Sequence, residues 1–491
     1  MIYALFLAAM AFTASSCNNW LDVRPDTEQK EKDQFATYDG FCSAVTGMYM
    51  SMADRDAYGE RLTMTNIEAL ANLWKLTNTN ARQEDQYLAK HDYKNVAYSQ
   101  AAIKAIYAKL FYTIVQANVI IKNVDERGNV ILNPAVRNTI QGEAYGIRAY
   151  CQLDVLRLFG KVPGSTQDVQ LPYSETTNID EMPAYYSFED YVKKLEQDME
   201  KALVLLKDND PVLEHSFQEM NSYPEGIDEF MYYRQSRMNY WAVKALQARM
   251  YLYIGQKEKA YTLAKEIIDA QLNGEPVMTM SGTEDFAAGY KLCPSECLFY
   301  LSKYDVMDYS QQFLLGGGTQ FSNGSHLGIT QDMLTELYSG QVTESHNRYN
   351  HWWNRNTRDN FGTNENVTIT KYYWDSENVT DAMLYYQLIP MLRMSEIYLI
   401  AMEGAPTLSE ANSLYRTYML AHDVATVTDF TTEAEKNSFL LNEYRREFFA
   451  EGQMFYTYKR LNSPKMLWRE ASVNESEYVL PLPTTEYNPN K

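Results

Sequence analysis

Residues 250–264 read MYLYIGQKEKAYTLA, and this stretch decides the fold. Apolar residues recur at helical spacing before Gly255 and again after it, which predicts two helices joined by a tight turn. Gly255 suits the turn, because glycine adopts left-handed backbone angles without steric cost. Ala260 and Ala264 lie one helical turn apart, so the second helix offers a flat face to the first. The stretch therefore predicts a closely packed helix pair.

This helix pair resembles one tetratricopeptide repeat, a helix–turn–helix unit that stacks into larger helical scaffolds. A second, partial copy of the pattern occurs nearer the C-terminus, at Ile400, Ala401 and Ala411. Small residues at these positions are typical of helix packing rather than of ligand contact. The two copies predict a mainly α fold built on a repeat scaffold.

The same periodicity extends along most of the chain. It predicts further helices at 101–124, 139–159, 187–206, 238–254, 257–271, 330–338, 391–403, 409–421 and 433–459.

Two long stretches interrupt this helical pattern. Residues 54–98 are rich in Asn, Asp and Tyr, and residues 273–375 are rich in Gly, Asn, Ser and Thr. Within the second stretch, residues 368–373 alternate in the manner of a short strand. Long irregular insertions in compact proteins usually carry function. We therefore expect a mainly α protein with minor β structure and a loop-rich face that holds its site.

Composition restricts the classes of partner. The chain has 491 residues, with 44 Lys and Arg against 64 Asp and Glu, a net charge of −20. Such a surface repels phosphate backbones and anionic lipid headgroups, which argues against nucleic acid as a partner. A chain of this length also buries enough apolar surface to fold without disulfides or metal. Tyr is abundant, at 40 residues, and suits wet recognition surfaces or helix packing.

The N-terminus has the pattern of a processing signal. Residues 2–14 form an apolar run that is too short to span a bilayer. Small residues then lead to Cys17, an arrangement similar to a bacterial lipobox. We expect residues 1–16 to be a lipoprotein signal peptide and Cys17 to be lipidated, which would anchor the chain to a membrane. A buried N-terminal helix in a soluble protein is the alternative.

Sequence patterns of catalysis are missing. The chain contains no His-Glu-x-x-His, no Gly-x-Ser-x-Gly and no phosphate-binding loop, and it has only six His. No cofactor is assigned. A glycosidase-like carboxylate pair stays open, because acidic residues are abundant. Asp305 with Asp308, or Asp208 with Asp210, would suit calcium, although each pair is more typical of a solvated turn.

Two further groups of residues have structural interpretations. Cys293 and Cys297 are close enough in sequence for a local disulfide in an oxidising compartment, or they remain unpaired. The other group shares helical spacing and is typical of structural ion pairing rather than acid–base chemistry. Its members are Glu443, Arg445, Arg446, Glu447 and Glu451.

Tryptophan residues in polar loops are the candidate ligand-binding residues. Residues 349–374 hold three of the seven Trp, at Trp352, Trp353 and Trp374, and Trp74 stands alone in an Asn- and Thr-rich stretch. Flat apolar rings beside amide and hydroxyl groups suit sugar rings. We therefore predict that these four residues form an aromatic binding platform. The alternative is a small satellite core beneath long loops.

Several motifs in order resemble the SusD/RagB family of outer-membrane nutrient-binding lipoproteins, over almost the whole mature chain. The matching segments are Cys17–Pro25, Glu143–Pro163, Leu392–Glu403, Glu443–Arg460 and Leu480–Pro489.

The resemblance implies a helical fold with tetratricopeptide-like units and no catalytic activity. It implies capture of glycans, or in some members peptides, at the cell surface, and delivery to a SusC-like TonB-dependent outer-membrane transporter. Residues 17–290 would form the N-terminal SusD-like region and residues 291–491 the C-terminal region, packed together as one domain. A secreted hydrolase with a carboxylate pair and a purely structural adaptor are the remaining alternatives.

Overall fold

The computed structural model describes residues 26–76, 82–178, 180–314, 327–358, 365–373 and 387–486. Helices dominate these residues, so the predicted mainly α fold is confirmed. The helices are α1 (Asp26–Gln34), α2 (Tyr38–Met52), α3 (Asn66–Leu70), α4 (Gln83–Ala89), α5 (Ser99–Arg127), α6 (Pro134–Phe159), α7 (Phe188–Lys207), α8 (Phe217–Met220), α9 (Tyr240–Tyr253), α10 (Lys257–Ile268), α11 (Thr283–Ala287), α12 (Val306–Phe313), α13 (Gln331–Leu337), α14 (Asn347–Trp352), α15 (Met394–Gly404), α16 (Leu408–Ala421), α17 (Glu433–Glu447) and α18 (Met454–Arg460).

The helix pair predicted at residues 250–264 is present as α9 and α10. Gly255 joins them with a φ of +82°, the left-handed conformation expected of the turn glycine. Ala260 and Ala264 are fully buried. The partial second copy is α15 and α16, and α15 packs against α10. A Cβ on Gly404 would lie 2.6 Å from the Lys257 carbonyl oxygen, so only glycine allows the end of α15 to approach α10 this closely.

The β structure is minor and antiparallel among the described residues. The strands are β1 (Leu171–Tyr173), β2 (Ala184–Tyr186), β3 (Gln271–Leu272), β4 (Glu275–Pro276), β5 (Cys297–Ser302), β6 (Ile329–Thr330), β7 (Trp353–Arg358), β8 (Glu365–Ile369) and β9 (Leu388–Arg393). They pair as β1–β2, β3–β4, β5–β9 and β6–β8–β7.

The β5–β9 pair corrects one helix boundary. Residues 391–393, predicted as the start of a helix, belong to β9, and α15 begins only at Met394. All six residues of β9 are buried. A strand buried on both faces reads as a continuous apolar run, which sequence periodicity does not separate from a helix. The strand predicted at 368–373 is present in part, since β8 ends at Ile369.

The single helix predicted over 433–459 is wrong, because the chain turns between α17 and α18. Ala450 and Gly452 both adopt positive φ, at 63° and 74°. The Gly452 N–H donates a 2.7 Å hydrogen bond to Glu68 in α3. A Cβ at Gly452 would lie only 2.0 Å from the Leu62 carbonyl oxygen. Contact with a distant part of the chain therefore imposes the break.

Contacts join the two predicted regions of the chain directly. Arg249 in α9 pairs with Glu396 in α15 at 2.6 Å, and both side chains are buried. One continuous cluster of buried apolar residues extends from Phe35 to Leu482. Among the residues described, no helix combines the length and apolar character needed to cross a bilayer.

Candidate ligand-binding groove

A groove of about 600 Å³ opens where the two irregular stretches of the chain meet. One wall follows the C-terminal end of α2, and the other wall connects β5 to α12. The residues that line it are Met50, Ala53, Asp54, Arg55, Asp56, Arg61, Ser302, Lys303, Tyr304, Asp305 and Tyr309. The groove is therefore the candidate location for the site expected in residues 54–98 and 273–375.

The first wall is a compact turn after α2. Asp54 organises it, because its carbonyl accepts from the N–H groups of Ala57 at 3.0 Å and Gly59 at 2.9 Å. Its carboxylate accepts from the Asp56 N–H at 2.9 Å. A Cβ at Gly59 would lie 2.3 Å from the Ala53 carbonyl oxygen, so the turn needs glycine there. These bonds hold the neighbouring Arg55 at the groove.

The second wall is a continuation of the buried strand β5. The Lys303 N–H donates to the Gln387 carbonyl at 2.7 Å, which extends the pairing with the chain that enters β9. Tyr304 follows and is 79% exposed. Helix α12 then begins at Val306 and carries Tyr309. The strand thus fixes the backbone from which the aromatic side chains of the groove project.

Guanidinium groups and aromatic rings alternate across the groove. The Arg55 Cζ lies 5.2 Å from the Tyr309 ring centroid and 5.6 Å from that of Phe313. The Lys303 ammonium lies 4.7 Å from the Tyr309 ring, and the Arg82 Cζ lies 4.7 Å from the Phe313 ring. Because the Arg55 side chain is 48% exposed, one face of this stack meets solvent.

Ion pairs fix these cations. The buried carboxylate of Glu60 accepts from Arg55 at 2.7 Å and from Arg82 at 2.6 Å. Lys109 pairs with Asp54 at 3.1 Å. Partial burial acts to raise the pKa of Asp54, but the hydrogen bonds from the Asp56 N–H and Lys109 outweigh it and lower that pKa. Asp54 is therefore an anionic acceptor at neutral pH.

The predicted aromatic platform is not formed by Trp74 and Trp353, which lie in the interior. Each is 4% exposed, and each packs edge-to-face on Phe449 with ring centroids 4.9 Å apart. The indole N–H of Trp74 donates to the Met64 carbonyl at 2.9 Å. That of Trp353 donates to the Tyr338 hydroxyl at 3.2 Å. The structure brings these two residues together, but around a core phenylalanine rather than around a ligand site.

Trp352 is also buried, at 1% exposure. Its indole N–H donates to the Lys291 carbonyl at 2.8 Å, and its ring face is covered by the ammonium of Lys371. A buried ring offers no face to a sugar, so the structure corrects the prediction for all three of these Trp residues in favour of the core alternative. Trp374 and Cys17 lie outside the described residues, and their predicted roles stay predictions.

Sequence reasoning missed Arg55, Tyr304 and Tyr309 as site residues. The abundance of Tyr was the available signal, but it did not distinguish exposed rings from packed ones. Tyr304 lies between two charged residues, Lys303 and Asp305, which is a local sign of exposure. The approach of Arg55 to Tyr309 joins positions far apart in sequence and has no local signature.

The acidic cluster on α17 is a structural ion network, as predicted for Glu443 and Arg446, which pair at 2.6 Å. Glu443, Glu447 and His422 bring ligand atoms within 4.8 Å of one another, close enough to hold a metal ion. However, Glu447 already pairs with Arg393 at 2.7 Å and lies 3.5 Å from Arg348. A cation at this position would compete with several guanidinium groups.

The other candidate sites are engaged in protein contacts. Asp210 pairs with the buried Arg234 at 2.9 Å, and Asp305 pairs with Lys303 at 2.9 Å. Cys293 and Cys297 are buried and unpaired. Burial raises the pKa of both thiols, so they are unreactive in this environment.

Comparison with known proteins gives one family match and a set of solved structures with the same fold. The SusD-like family model, described as "Starch-binding associating with outer membrane", matches residues 19–219. No curated protein sequence matches the chain. The chain is therefore similar to the SusD-like family over residues 19–219 and shares the fold of solved SusD superfamily structures.

Solved structures share the fold over nearly the whole chain. A SusD superfamily protein from Bacteroides thetaiotaomicron is 20% identical with a TM-score of 0.69, covering 92% of this chain and 98% of that one. One from Bacteroides vulgatus is 19% identical with a TM-score of 0.67, covering 91% and 96%. Surface glycan-binding protein A from Bacteroides thetaiotaomicron, solved with laminarihexaose, is 13% identical with a TM-score of 0.65, covering 91% and 96%.

Proposed function

We propose that the chain is a non-catalytic protein that captures an uncharged glycan in the groove beside Arg55 and Tyr304. The observation that carries this proposal is the solvent-facing stack of Arg55 on Tyr309 next to the exposed ring of Tyr304. Aromatic faces stack on the C–H faces of sugars, and guanidinium and carboxylate groups bind the hydroxyls.

The charge of the groove supports an uncharged ligand. Its lining carries three cationic side chains, Arg55, Arg61 and Lys303, and three anionic ones, Asp54, Asp56 and Asp305. Because the opposite charges are paired within hydrogen-bonding distance, no surplus charge is left to attract an acidic or basic polymer.

Two comparisons support a glycan as the ligand. The matching family model is described as starch-binding, and a protein of the same fold was solved with laminarihexaose. By the same family reasoning, we propose that a lipid on Cys17 anchors the chain at the outer-membrane surface. There it would deliver the glycan to a SusC-like TonB-dependent transporter.

The carboxylates that line the groove among the described residues are engaged by cations or backbone N–H groups, which does not suit the general acid of glycoside hydrolysis. A general acid requires a carboxyl group whose pKa is raised. The pKa of Asp54 is instead lowered. Asp56 and Asp305 are engaged by Arg61 at 2.7 Å and by Lys303 at 2.9 Å. These contacts favour binding over hydrolysis.

Affinity electrophoresis through gels containing neutral polysaccharides tests the proposal. We expect the chain from Asn18 onward to be retarded by at least one of them, and Arg55→Ala with Tyr304→Ala to relieve the retardation. Tyr98→Ala is the matched control, because Tyr98 is 39% exposed and stacks on Tyr87 away from the groove lining. Unchanged retardation of the double variant would refute the assigned site, and release of reducing ends would refute the non-catalytic role.

The alternative ligand is a basic peptide, which the net charge of −20 favours. The balanced groove opposes it, because basic peptides need surplus carboxylates. Competition between a tryptic peptide pool and the retarding polysaccharide separates the two ligands. Release of the polysaccharide by peptides alone would favour peptide capture.

Delivery to a transporter is tested with the anchored protein. We expect an affinity-tagged full chain to co-purify one large outer-membrane β-barrel from gently solubilised membranes, and Cys17→Ala to lose membrane association. Recovery of the protein without such a partner would contradict the delivery role and leave glycan capture in place.

A further inference from the structure

We propose a second glycan-binding cleft, separate from the groove, centred on the side chain of Asn221. This cleft of about 410 Å³ lies between α8, the segment after β4 and the turn before β5. It shares no lining residue with the groove. The inference rests on the proposed function only in taking the ligand to be a glycan.

The lining of the cleft suits a sugar. Amide and hydroxyl groups come from Gln218, Asn221, Thr279 and Ser295, and Phe217 adds an apolar ring. Amides and hydroxyls pair with sugar hydroxyl groups. The carboxylate in the lining, Asp285, accepts from the Ser295 hydroxyl at 2.5 Å.

A chain of amide hydrogen bonds fixes the orientation of Asn221. The Nε2 of Gln235 donates to the carbonyls of Pro294 at 2.9 Å and Cys297 at 2.8 Å. The Gln235 Oε1 must therefore point the other way, where it accepts from the Asn221 Nδ2 at 3.3 Å. If the Asn221 amide were rotated by half a turn, its Oδ1 would face the Gln235 Oε1, and two acceptors cannot share a hydrogen bond. The network therefore fixes which Asn221 atom is Nδ2 and which is Oδ1.

One acceptor, the Asn221 Oδ1, takes no part in this chain of hydrogen bonds from Gln235 to Asn221. The Asn221 Oδ1 is buried and accepts no hydrogen bond from the described residues. Buried polar atoms without partners are rare in native proteins and call for an explanation. Because Asn221 lines the cleft, we assign this oxygen to a hydroxyl donor of a bound ligand, which reaches it through a local adjustment of the lining while the Gln235–Asn221 hydrogen bond is kept.

An exposed aromatic side chain lies beside the cleft. Tyr223 is 64% exposed, and its Cα lies within about 7 Å of that of Asn221 because only Ser222 separates them. The Tyr233 hydroxyl donates a hydrogen bond to the Tyr223 hydroxyl. Both residues adopt positive φ, 57° at Tyr223 and 55° at Tyr233. Such backbone angles are uncommon for bulky residues.

Stoichiometry tests the proposal. The probes are laminarihexaose and maltoheptaose, titrated calorimetrically into the chain from Asn18 onward. We expect two sites in the wild type and one in Arg55→Ala with Tyr304→Ala. Adding Asn221→Leu to that double variant should weaken the remaining site at least tenfold, since leucine keeps the branched shape of the side chain and removes the acceptor together with the donor to Gln235. Ser222→Ala, an exposed neighbour, is the control and should change neither site.

The outcomes separate the two proposals. If the double variant binds neither probe, or if Asn221→Leu leaves both stoichiometry and affinity unchanged, the second cleft is refuted and the groove stands. If Asn221→Leu alone abolishes binding while the double variant binds as the wild type does, the cleft stands and the groove is wrong. Binding of a peptide pool at Asn221 with neither glycan bound would overturn the assigned ligand class. Thermal melts of each variant confirm that it is folded.

Discussion

The ammonium of Lys371 lies 3.6 Å from the centroid of the Trp352 ring, inside the protein. The same ammonium donates to the Glu447 carbonyl and to the Glu451 carboxylate, each at 2.7 Å. Both Lys371 and Trp352 are nearly inaccessible to water, at 2% and 1% exposure. The ring that sequence reasoning offered to a sugar therefore already holds a cation of the protein.

Replacing Trp352 tests this structural role. Trp352→Ala removes a buried ring, its hydrogen bond to Lys291 and the cover over Lys371, so we expect a loss of about 3–5 kcal/mol in the free energy of unfolding. Urea denaturation measures this loss. Glycan affinity, measured at a temperature where the variant is folded, should stay unchanged. A selective loss of affinity with normal stability would restore Trp352 as a ligand residue.

Glu68 predicts a pH dependence of stability. Burial raises its pKa from 4.5 to about 8, although the Gly452 N–H that it accepts acts to lower it. Because the folded state then binds more protons than the unfolded state, the contribution of Glu68 is fully present below pH 4.5. It is lost as the pH rises from about 4.5 to about 8.

Glu68→Gln removes this titration and keeps an oxygen for the Gly452 N–H. Between pH 5 and pH 8, we expect the free energy of unfolding of the variant to rise by about 2–4 kcal/mol relative to that of the wild type. Urea unfolding at several pH values measures the difference. Parallel stability curves for the two proteins would show that Glu68 is not protonated in the folded state.

Gly452 and Gly47 form a matched pair for testing the turn between α17 and α18. A Cβ at Gly452 would meet the Leu62 carbonyl oxygen, and its φ is +74°. A Cβ at Gly47, inside α2, meets nothing within 4 Å. We expect Gly452→Ala to destabilise the fold by more than about 2 kcal/mol and Gly47→Ala to stabilise it by up to about 1 kcal/mol. Thermal unfolding distinguishes them, and equal effects would contradict the close approach at Gly452.

Binding in the groove should depend little on ionic strength. Its charges are paired within the protein, so an uncharged glycan displaces few counterions. We expect the dissociation constant of the retained glycan to change less than about twofold between low and high salt. Uronate polymers should not compete. A steep salt dependence would show that unpaired charge contributes to recognition.

The helical scaffold could be predicted from the sequence because its signals are local. Three local signals predicted α9, α10, α15 and α16 to within a few residues. They are the glycine of the turn, the small residues on the packed helix faces and the apolar periodicity. The break after α17 could not be predicted, since it depends on contact between Gly452 and Leu62.

The candidate groove could be predicted from the sequence only in outline. Irregular composition marked the two stretches that form the groove, but not the side chains that meet in it. Trp74 was assigned to a ligand because its neighbours are polar. Its packing partner, Phe449, lies far along the chain, and polarity of near neighbours carries no information about such a partner.

The backbone hydrogen bond from Lys303 to Gln387 has a consequence for the rate at which the groove binds its ligand. Both walls of the groove are rooted in buried elements, α2 on one side and the β5–β9 pair on the other. Little conformational entropy remains to be lost when a ligand enters, so association should approach the rate of diffusional encounter. Affinity would then be set by how quickly the ligand leaves. The proposed delivery to a transporter would benefit from this arrangement, because a transporter that binds the released glycan faster than the groove rebinds it would empty the groove without a conformational change in it.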